Sequence, residues 1–232
     1  MDRRTFLTAI PPFLAGCVSV GGVAGAPAPA PVFRVGDRWV YNAIDGYRAP
    51  VTWIETHEVV AVGPAGIEVQ VTLDGSTMNY RRTERLRSPG EVLVGAVYDD
   101  AETRRFASPV ERYRFPLTPG ASWTQTIRNY NETMQQDDEM NRYVKVGGYQ
   151  TVTTSAGTFD AILMRVLMSV NVNDPFRTAT ECNYEVWWAP AVGAMVRERK
   201  FAQYREKGDG REAATIRAQN TVLELASFRR GA

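Results

Sequence analysis

The sequence is poor in the residues that most often build metal sites and activate nucleophiles. It contains one histidine, His57, and two cysteines, Cys17 and Cys182. A single histidine excludes a histidine-cluster metal site and leaves Ser-His-Asp catalysis dependent on His57 alone. No serine occupies a Gly-x-Ser-x-Gly turn, and neither a CxxC pair nor a glycine-rich phosphate loop is present. We therefore predict no catalytic residue, no metal and no cofactor.

The two remaining reactive side chains both lie in expected strands. His57 stands between Glu55 and Glu58 in sequence, where a hydrogen-bonded or surface role is more typical than catalysis without a recognisable nucleophile. Cys182 falls in an apolar row, which predicts a buried and unreactive thiol. Once Cys17 is modified as described below, Cys182 has no partner for an intramolecular disulfide.

The chain also lacks a charge excess and a long apolar run. It has 27 basic and 26 acidic residues, so charge gives no reason to expect nucleic acid as a partner. The acidic run Asp137–Glu139 lacks the alternating spacing of a calcium loop and predicts a solvated loop. No apolar run reaches the roughly 18 residues of a transmembrane helix.

The N-terminus is the most specific signal in the sequence. Residues 1–16 combine a charged start, a modest apolar stretch and Leu-Ala-Gly before Cys17, which is the layout of a signal peptide. The end of this segment resembles the lipobox of bacterial lipoproteins, in which the cysteine is acylated. Arg3 and Arg4, followed by Thr-Phe-Leu, resemble the twin-arginine export motif, and the general secretory route is the alternative.

The predicted anchor determines where the protein works. Palmitate and other acyl chains on Cys17 would hold the protein on a membrane. In the lipoproteins that this motif resembles, a residue other than aspartate after the cysteine, here Val18, favours the outer membrane, facing the periplasm. Residues 17–31 are almost all alanine, proline, glycine and valine, which predicts a lipidated tether before a single domain over residues 32–232.

The remainder alternates between apolar and polar residues in short runs separated by turn signals. We predict an all-β fold with little helix, an antiparallel meander of roughly a dozen strands that forms a sandwich or a partly open barrel. Its centre is a hairpin of strands over Thr158–Val170 and Thr180–Ala189. Apolar rows select the register that pairs Ile162 with Trp188, and on the other face Arg165 with Glu185.

A weak internal repeat divides the domain. Gly36-x-x-Trp39 returns as Gly120-x-x-Trp123, and an Ala-Gly turn follows downstream of each. The pattern suggests a duplication with halves over residues 33–113 and 115–228, and chance or common hairpin chemistry is the alternative. A duplication predicts similar strand order in the two halves.

Three turn motifs carry a resemblance to a known group. Leu117–Trp123, Thr151–Phe159 and Trp187–Gly193 resemble the TapB-like group of exported bacterial β proteins and related families of unknown function. Trp188 and Ala191 depart from the last motif. The resemblance implies a β fold and an envelope location, and it supplies no catalytic residues.

These observations leave three functions open. The first is a non-catalytic envelope lipoprotein that binds or scaffolds other envelope components. The second is a carrier or sensor of a lipid or another small apolar ligand, since flexible methionines suit adaptable pockets and a barrel interior can hold a ligand. Its candidate binding residues share the inward row of the central hairpin: Met164, Met168, Tyr184, Val186 and Trp188. The third and weakest is an enzyme that uses carboxylates.

Overall fold

The computed structural model describes residues 25–46, 50–98, 101–207 and 214–232. Twelve strands make up the regular structure of these residues, and none of them forms a helix that could cross a membrane. The strands are β1 Arg38–Asp45, β2 Val51–Gly63, β3 Gly66–Asp74, β4 Asn79–Ser88, β5 Glu91–Gly95, β6 Arg104–Glu111, β7 Ser122–Asn131, β8 Gln136–Thr154, β9 Gly157–Val170, β10 Thr180–Ala189, β11 Ala194–Arg205 and β12 Thr215–Arg229.

The strands form a closed barrel in which each pairs antiparallel with its neighbours in sequence. The barrel closes where β1 pairs with β12, from Arg38 opposite Arg229 to Asp45 opposite Thr221. Two-residue turns join β2 to β3 and β8 to β9, since an antiparallel pair needs only a tight connection, whereas the links from β6 to β7 and from β9 to β10 are longer loops. The prediction of an all-β meander of about a dozen strands is confirmed, and the sheet is fully closed.

The central hairpin has the register that its apolar rows select. β9 pairs with β10 so that Ile162 lies opposite Trp188 and Arg165 lies opposite Glu185. On the outer face the Arg165 guanidinium Nε lies 3.2 Å from Glu185 Oε1. The predicted pairing is therefore confirmed at every position of this hairpin.

Alternating residues of each strand fill the barrel. In β3 the side chains of Ile67, Val69, Val71 and Leu73 are buried, whereas the residues between them are more exposed. A side-chain period of two places one row inside and the other outside. A barrel of twelve strands encloses more space than one of eight, which side chains just fill, so its interior has room for polar groups as well.

Residues 25–33, here called the N-terminal strap, lie against the barrel end where β1 begins and β12 ends, here called the strap end. Ala28 is fully buried, and its N–H and C=O make hydrogen bonds of 3.0 and 2.8 Å with the backbone of Leu117. Arg230 donates to the carbonyl of Val32 at 2.9 Å. This corrects the prediction of a tether over residues 17–31, because from Gly25 onward the segment belongs to the folded body.

Two pairs of glycines occupy equivalent places in the two halves of the chain. Gly36 and Gly120 have φ of +89° and +88°, and Gly66 and Gly157 have φ of +114° and +135°. Each half supplies six strands in the same sequential order, but any antiparallel meander has this order, so strand order alone does not support a duplication. The matched glycine conformations support the duplication, which stays a prediction.

The acidic run is not the solvated loop that the sequence predicts. β7 and β8 form a hairpin that turns at residues 132–135, so Asp137, Asp138 and Glu139 lie within β8. Asp138 points inward, is 6% exposed and lies 2.8 Å from Arg104 Nη1. Sequence proximity of three carboxylates suggested solvation, but strand alternation sends the middle one inside to meet a buried arginine.

Candidate ligand site inside the barrel

The barrel interior contains a cavity of about 150 Å³. Its apolar wall is formed mainly by the inward rows of β8, β9 and β10, which hold large flexible side chains side by side. All five candidate binding residues predicted from the sequence line it: Met164, Met168, Tyr184, Val186 and Trp188. The structure therefore brings the predicted residues together around one space.

A group of aromatic rings lies at the strap end of this interior cavity, and three of them, Phe33, Trp39 and Trp188, line it. The rings of Phe33 and Trp39 lie 5.4 Å apart, and those of Phe115 and Trp188 lie 5.2 Å apart. Tilted and edge-on contacts at such distances add to the stability from area burial. Phe33 lines the cavity together with Pro31, so the strap itself contributes to the wall.

The opposite wall is charged, and its first carboxylate is Glu55 on β2. Glu55 is 2% exposed, lies 2.7 Å from His57 Nε2 and accepts a hydrogen bond of 3.2 Å from Trp53 Nε1. Burial alone would raise the pKa of Glu55, but the hydrogen bond and charge of His57 and the charges of Arg82 and Lys200 outweigh it and hold the pKa well below its ordinary value. His57 is therefore hydrogen-bonded, as one of the predicted alternatives has it.

The second carboxylate of this wall is Glu84 on β4. It lies 2.9 Å from Arg112 and 3.5 Å from Arg82. Burial favours the neutral acid, but the charges of these two arginines dominate and lower the pKa of Glu84 to about 2. Glu84 is thus an anion at neutral pH, and so is Glu55, so neither can donate a proton there.

Tyrosine hydroxyls complete the polar wall. Tyr41 donates to the carbonyl of Met195 at 3.2 Å, and Tyr184 donates to the carbonyl of Val97. Burial, followed by nearby negative charge, raises the pKa of Tyr41 well above its ordinary value. Burial also raises the pKa of Tyr113, although Arg112 opposes this. Tyr41 and Tyr113 are therefore both protonated, neutral phenols at neutral pH.

Arg142 on β8 is the most unusual charge in the cavity wall. It is 5% exposed, and it donates from Nη1 to the carbonyl of Glu111 at 2.6 Å and from Nη2 to the carbonyl of Arg112 at 3.3 Å. Burial, and then the like charge of Arg112, lower the pKa of Arg142 to about 10. Its partners are thus neutral carbonyls.

A separate polar cluster lies at the other end of the barrel, here called the far end. Arg104 is fully buried, lies 3.0 Å from Glu102 and 2.8 Å from Asp138, and donates to Asn129 at 2.8 Å and Asn171 at 2.6 Å. Its acceptors come from β7, β8 and the loop after β9, so Arg104 ties these elements together. Within the described ranges, no group of three His, Cys, Asp or Glu side chains is placed to hold a metal ion.

The other residues singled out in the sequence have distinct places. Cys182 is fully buried, and burial raises the pKa of its thiol, so the predicted burial is confirmed and its lack of reactivity stays a prediction. Cys17, Arg3 and Arg4 lie outside the described residues. Glu84 and Arg142 also belong to the site, and neither was predicted from the sequence. A partial signal existed, because each shares the parity of a buried apolar residue on its strand, Leu86 for Glu84 and Val144 for Arg142.

Comparison with known proteins identifies the fold and no more. No protein-family model matches the chain, and no curated protein matches its sequence significantly. A candidate lipoprotein from Parabacteroides distasonis ATCC 8503 superposes with a TM-score of 0.52 at 12% identity, over 89% of this chain and 100% of that one. A candidate exported protein with a YmcC-like fold from Bacteroides fragilis NCTC 9343 gives 0.50 at 14%, over 88% and 100%.

A third structure is more distant. The hypothetical lipoprotein YmcC from Escherichia coli gives a TM-score of 0.42 at 10% identity, over 87% of this chain and 91% of that one. The first two structures show that the chain has a barrel fold found among exported bacterial proteins. The TapB-like resemblance of its turn motifs stays a prediction.

Proposed function

We propose that this chain is a lipid-anchored barrel of the bacterial envelope that binds a small amphipathic ligand in its interior cavity. The observation that carries this proposal is the mixed lining of the cavity. The apolar wall of β9 and β10, which includes Met164 and Met168, is accompanied in the same cavity by charged side chains from β2, β4 and β8. An apolar pocket with a few convergent polar groups is the usual form of a small-molecule site.

The size of the cavity limits the ligand. An apolar cavity of about 150 Å³ is large enough for benzene, and most drug-sized sites are larger. The buried part of the ligand is therefore about one aromatic ring or a short acyl segment. A purely apolar ligand would leave the charges of Glu55 and Arg142 facing hydrocarbon, which costs free energy. The charged wall therefore favours an amphipathic ligand over a purely apolar one.

The envelope location rests on the N-terminus and is supported by the neighbours. Of the two similar structures, one is of a candidate lipoprotein and the other of a candidate exported protein. We propose acylation of Cys17, export through the twin-arginine route read from Arg3 and Arg4, and attachment to the outer membrane on its periplasmic side. Labelled palmitate should enter the wild-type protein and not the Cys17→Ser variant. Equal labelling of both would contradict the anchor.

A pair of substitutions on β9 tests ligand binding. Val166 lines the cavity, whereas its neighbour Leu167 is 52% exposed on the outer face. Val166→Phe adds volume inside the cavity, and Leu167→Phe makes a similar change outside. The full chains would be purified from envelopes in detergent and examined by native mass spectrometry with lipid and small-molecule extraction.

We expect a bound small molecule on the wild-type protein and on Leu167→Phe, and little or none on Val166→Phe. Circular dichroism checks that each variant keeps its strands. A folded wild-type protein that carries nothing and takes up no added ligand would contradict the proposal.

A scaffolding role is the second candidate, and one surface feature favours it. Ile44 and Ile54 are 39% and 42% exposed on the outer faces of β1 and β2, and Val222 on β12 pairs with Ile44. These apolar side chains lie together on three neighbouring strands. Photo-crosslinking from position 54 in intact cells should yield a defined adduct with an envelope protein if this face docks one. With the cross-linker kept at position 54, Ile44→Lys and Val222→Lys should then abolish that adduct.

An enzymatic role has the least support. The carboxylates Glu55 and Glu84 are each held as anions by basic neighbours, which makes them poor proton donors at neutral pH. Their arrangement is that of fixed charges rather than of an acid and a base with separated pKa values.

A further inference from the structure

We propose that the interior cavity recognises an anionic head group through Arg142, so that the ligand is a small amphiphile with a carboxylate or phosphate. This inference rests on the proposed function, because it specifies what the same cavity binds. It is carried by the position of Arg142, by the pairing of the other charges and by the kind of partner that Arg142 has.

Arg142 stands at the border between the apolar and the polar wall. Its inward-facing neighbours on β8 are Met140 and Val144, and Met168 lies directly opposite it on β9. Met140, Arg142 and Met168 all line the cavity. A ligand whose apolar part lies against the methionines therefore places its head beside the guanidinium.

The carboxylates of the cavity wall already have close partners within the protein. Glu84 lies 2.9 Å from Arg112, Glu198 lies 3.6 Å from Lys200, and Glu55 is hydrogen-bonded to His57 at 2.7 Å. Among the residues that the structure describes, no carboxylate forms an ion pair with Arg142. The wall contains four side chains of Arg and Lys against three of Glu: Arg82, Arg112, Arg142 and Lys200 against Glu55, Glu84 and Glu198.

A purely structural role accounts for only part of this arrangement. β6 pairs with β7 only from Arg104 to Phe106. At the end of β6, Arg142 instead donates hydrogen bonds to the carbonyls of Glu111 and Arg112. Those carbonyls need hydrogen-bond donors and not a positive charge. A buried charge without a counter-ion costs free energy, as the lowered pKa of Arg142 also shows. An anionic ligand would supply that counter-ion, and guanidinium binds carboxylate and phosphate well.

Three probes of equal apolar size separate the alternatives. Benzoate, phenyl phosphate and benzyl alcohol each carry one ring, which matches a cavity that is about benzene-sized. The dissociation constant of each would be measured at pH 7 by ligand-observed NMR on the detergent-solubilised full chain. We expect the wild-type protein to bind one or both anions about tenfold to a hundredfold more tightly than benzyl alcohol.

Variants locate the preference. Arg142→Gln keeps hydrogen-bond donors for the carbonyls and removes the charge, and Arg165→Gln removes an arginine from the outer face of β9. Arg142→Gln should lose the preference for the anion and bind benzyl alcohol within about threefold of wild type, whereas Arg165→Gln should leave all three constants unchanged. Arg142→Lys keeps the charge and should retain part of the preference.

The outcomes distinguish this inference from the proposal beneath it. The dissociation constants of benzoate and phenyl phosphate, compared with each other, show whether a carboxylate or a phosphate is preferred. Equal binding of all three probes to the wild-type protein would overturn the role of Arg142 and leave the ligand cavity standing. An anion preference that survives in Arg142→Gln would also overturn it. Absence of binding by every probe, together with no co-purified ligand, would overturn both. If Arg142→Gln does not fold, the wild-type contrast and Arg142→Lys still decide.

Discussion

The ion pair between Glu84 and Arg112 gives the sharpest test of the charged interior. Glu84 is 4% exposed and its pKa is lowered from 4.5 to about 2. A lowering of this size corresponds to about 3 kcal/mol of stability at neutral pH. Glu84→Gln removes the negative charge of the carboxylate, so that Arg112 and Arg82 lose it as an ion-pair partner. Breaking a fully buried pair typically costs about 3–5 kcal/mol, and because the Arg112 side chain is 33% exposed we expect the lower end of this range.

The measurement is urea unfolding of the full chain in detergent, followed by tryptophan fluorescence. At pH 7 we expect Glu84→Gln to lower the free energy of unfolding by about 3 kcal/mol. The matched control is Glu185→Gln, which breaks an exposed pair with Arg165 and should cost less than about 1 kcal/mol.

The pH dependence has a definite sign. Because the folded pKa of Glu84 is below the unfolded value, its contribution is fully present above about pH 4.5 and is lost as the pH falls towards 2. The difference between the wild-type protein and Glu84→Gln should therefore shrink over this range. Equal costs for the two variants at pH 7, or a difference that stays constant from pH 7 to 2.5, would refute the reasoning.

Three further predictions concern other parts of the fold. Arg104→Met leaves the buried carboxylates of Glu102 and Asp138 without their cationic partner. It should lower the free energy of unfolding by about 3–5 kcal/mol in the same urea assay. An unchanged free energy of unfolding would contradict the view that Arg104 holds these elements together. Gly66→Ala should lower the free energy of unfolding by about 1–3 kcal/mol, because φ is +114° and a Cβ would lie 2.3 Å from the carbonyl oxygen of Leu86. The control is Gly63→Ala, whose Cβ would have no atom within 4 Å and which should therefore have a much smaller effect. Cys182 should resist a thiol reagent in the folded protein and react once urea unfolds it; rapid labelling without urea would show that the thiol is accessible.

The sequence was most informative where one face of a strand is wholly apolar. The inward row of β9, from Ile162 to Val170, fixes both the strand and its register, because a slip of one residue would expose all of it. The same logic placed the five candidate binding residues on one wall. Barrel closure was not predictable in this way, since it depends on the pairing of β1 with β12 across nearly the whole chain.

The charged wall was missed because inward-facing polar residues break the alternation that identifies a core. Glu55 and Glu84 point inward on different strands. Each has one partner two residues away, His57 and Arg82, but the nearest partner of Glu84 is Arg112, 28 positions further along the chain. Local sequence shows an isolated charge and cannot show that a distant one neutralises it. Asp138 was misassigned for the same reason, because its partner Arg104 is 34 positions away.

The docking of Ala28 against Leu117 also limits the reach of the proposed anchor at Cys17. If Cys17 is acylated as proposed, only residues 18–24 separate it from Gly25, the first residue of the strap. Seven residues span at most about 25 Å, against roughly twice that for all fourteen residues up to Pro31. An anchor at Cys17 would therefore keep Gly25, and with it the start of the strap, within about 25 Å of the membrane surface.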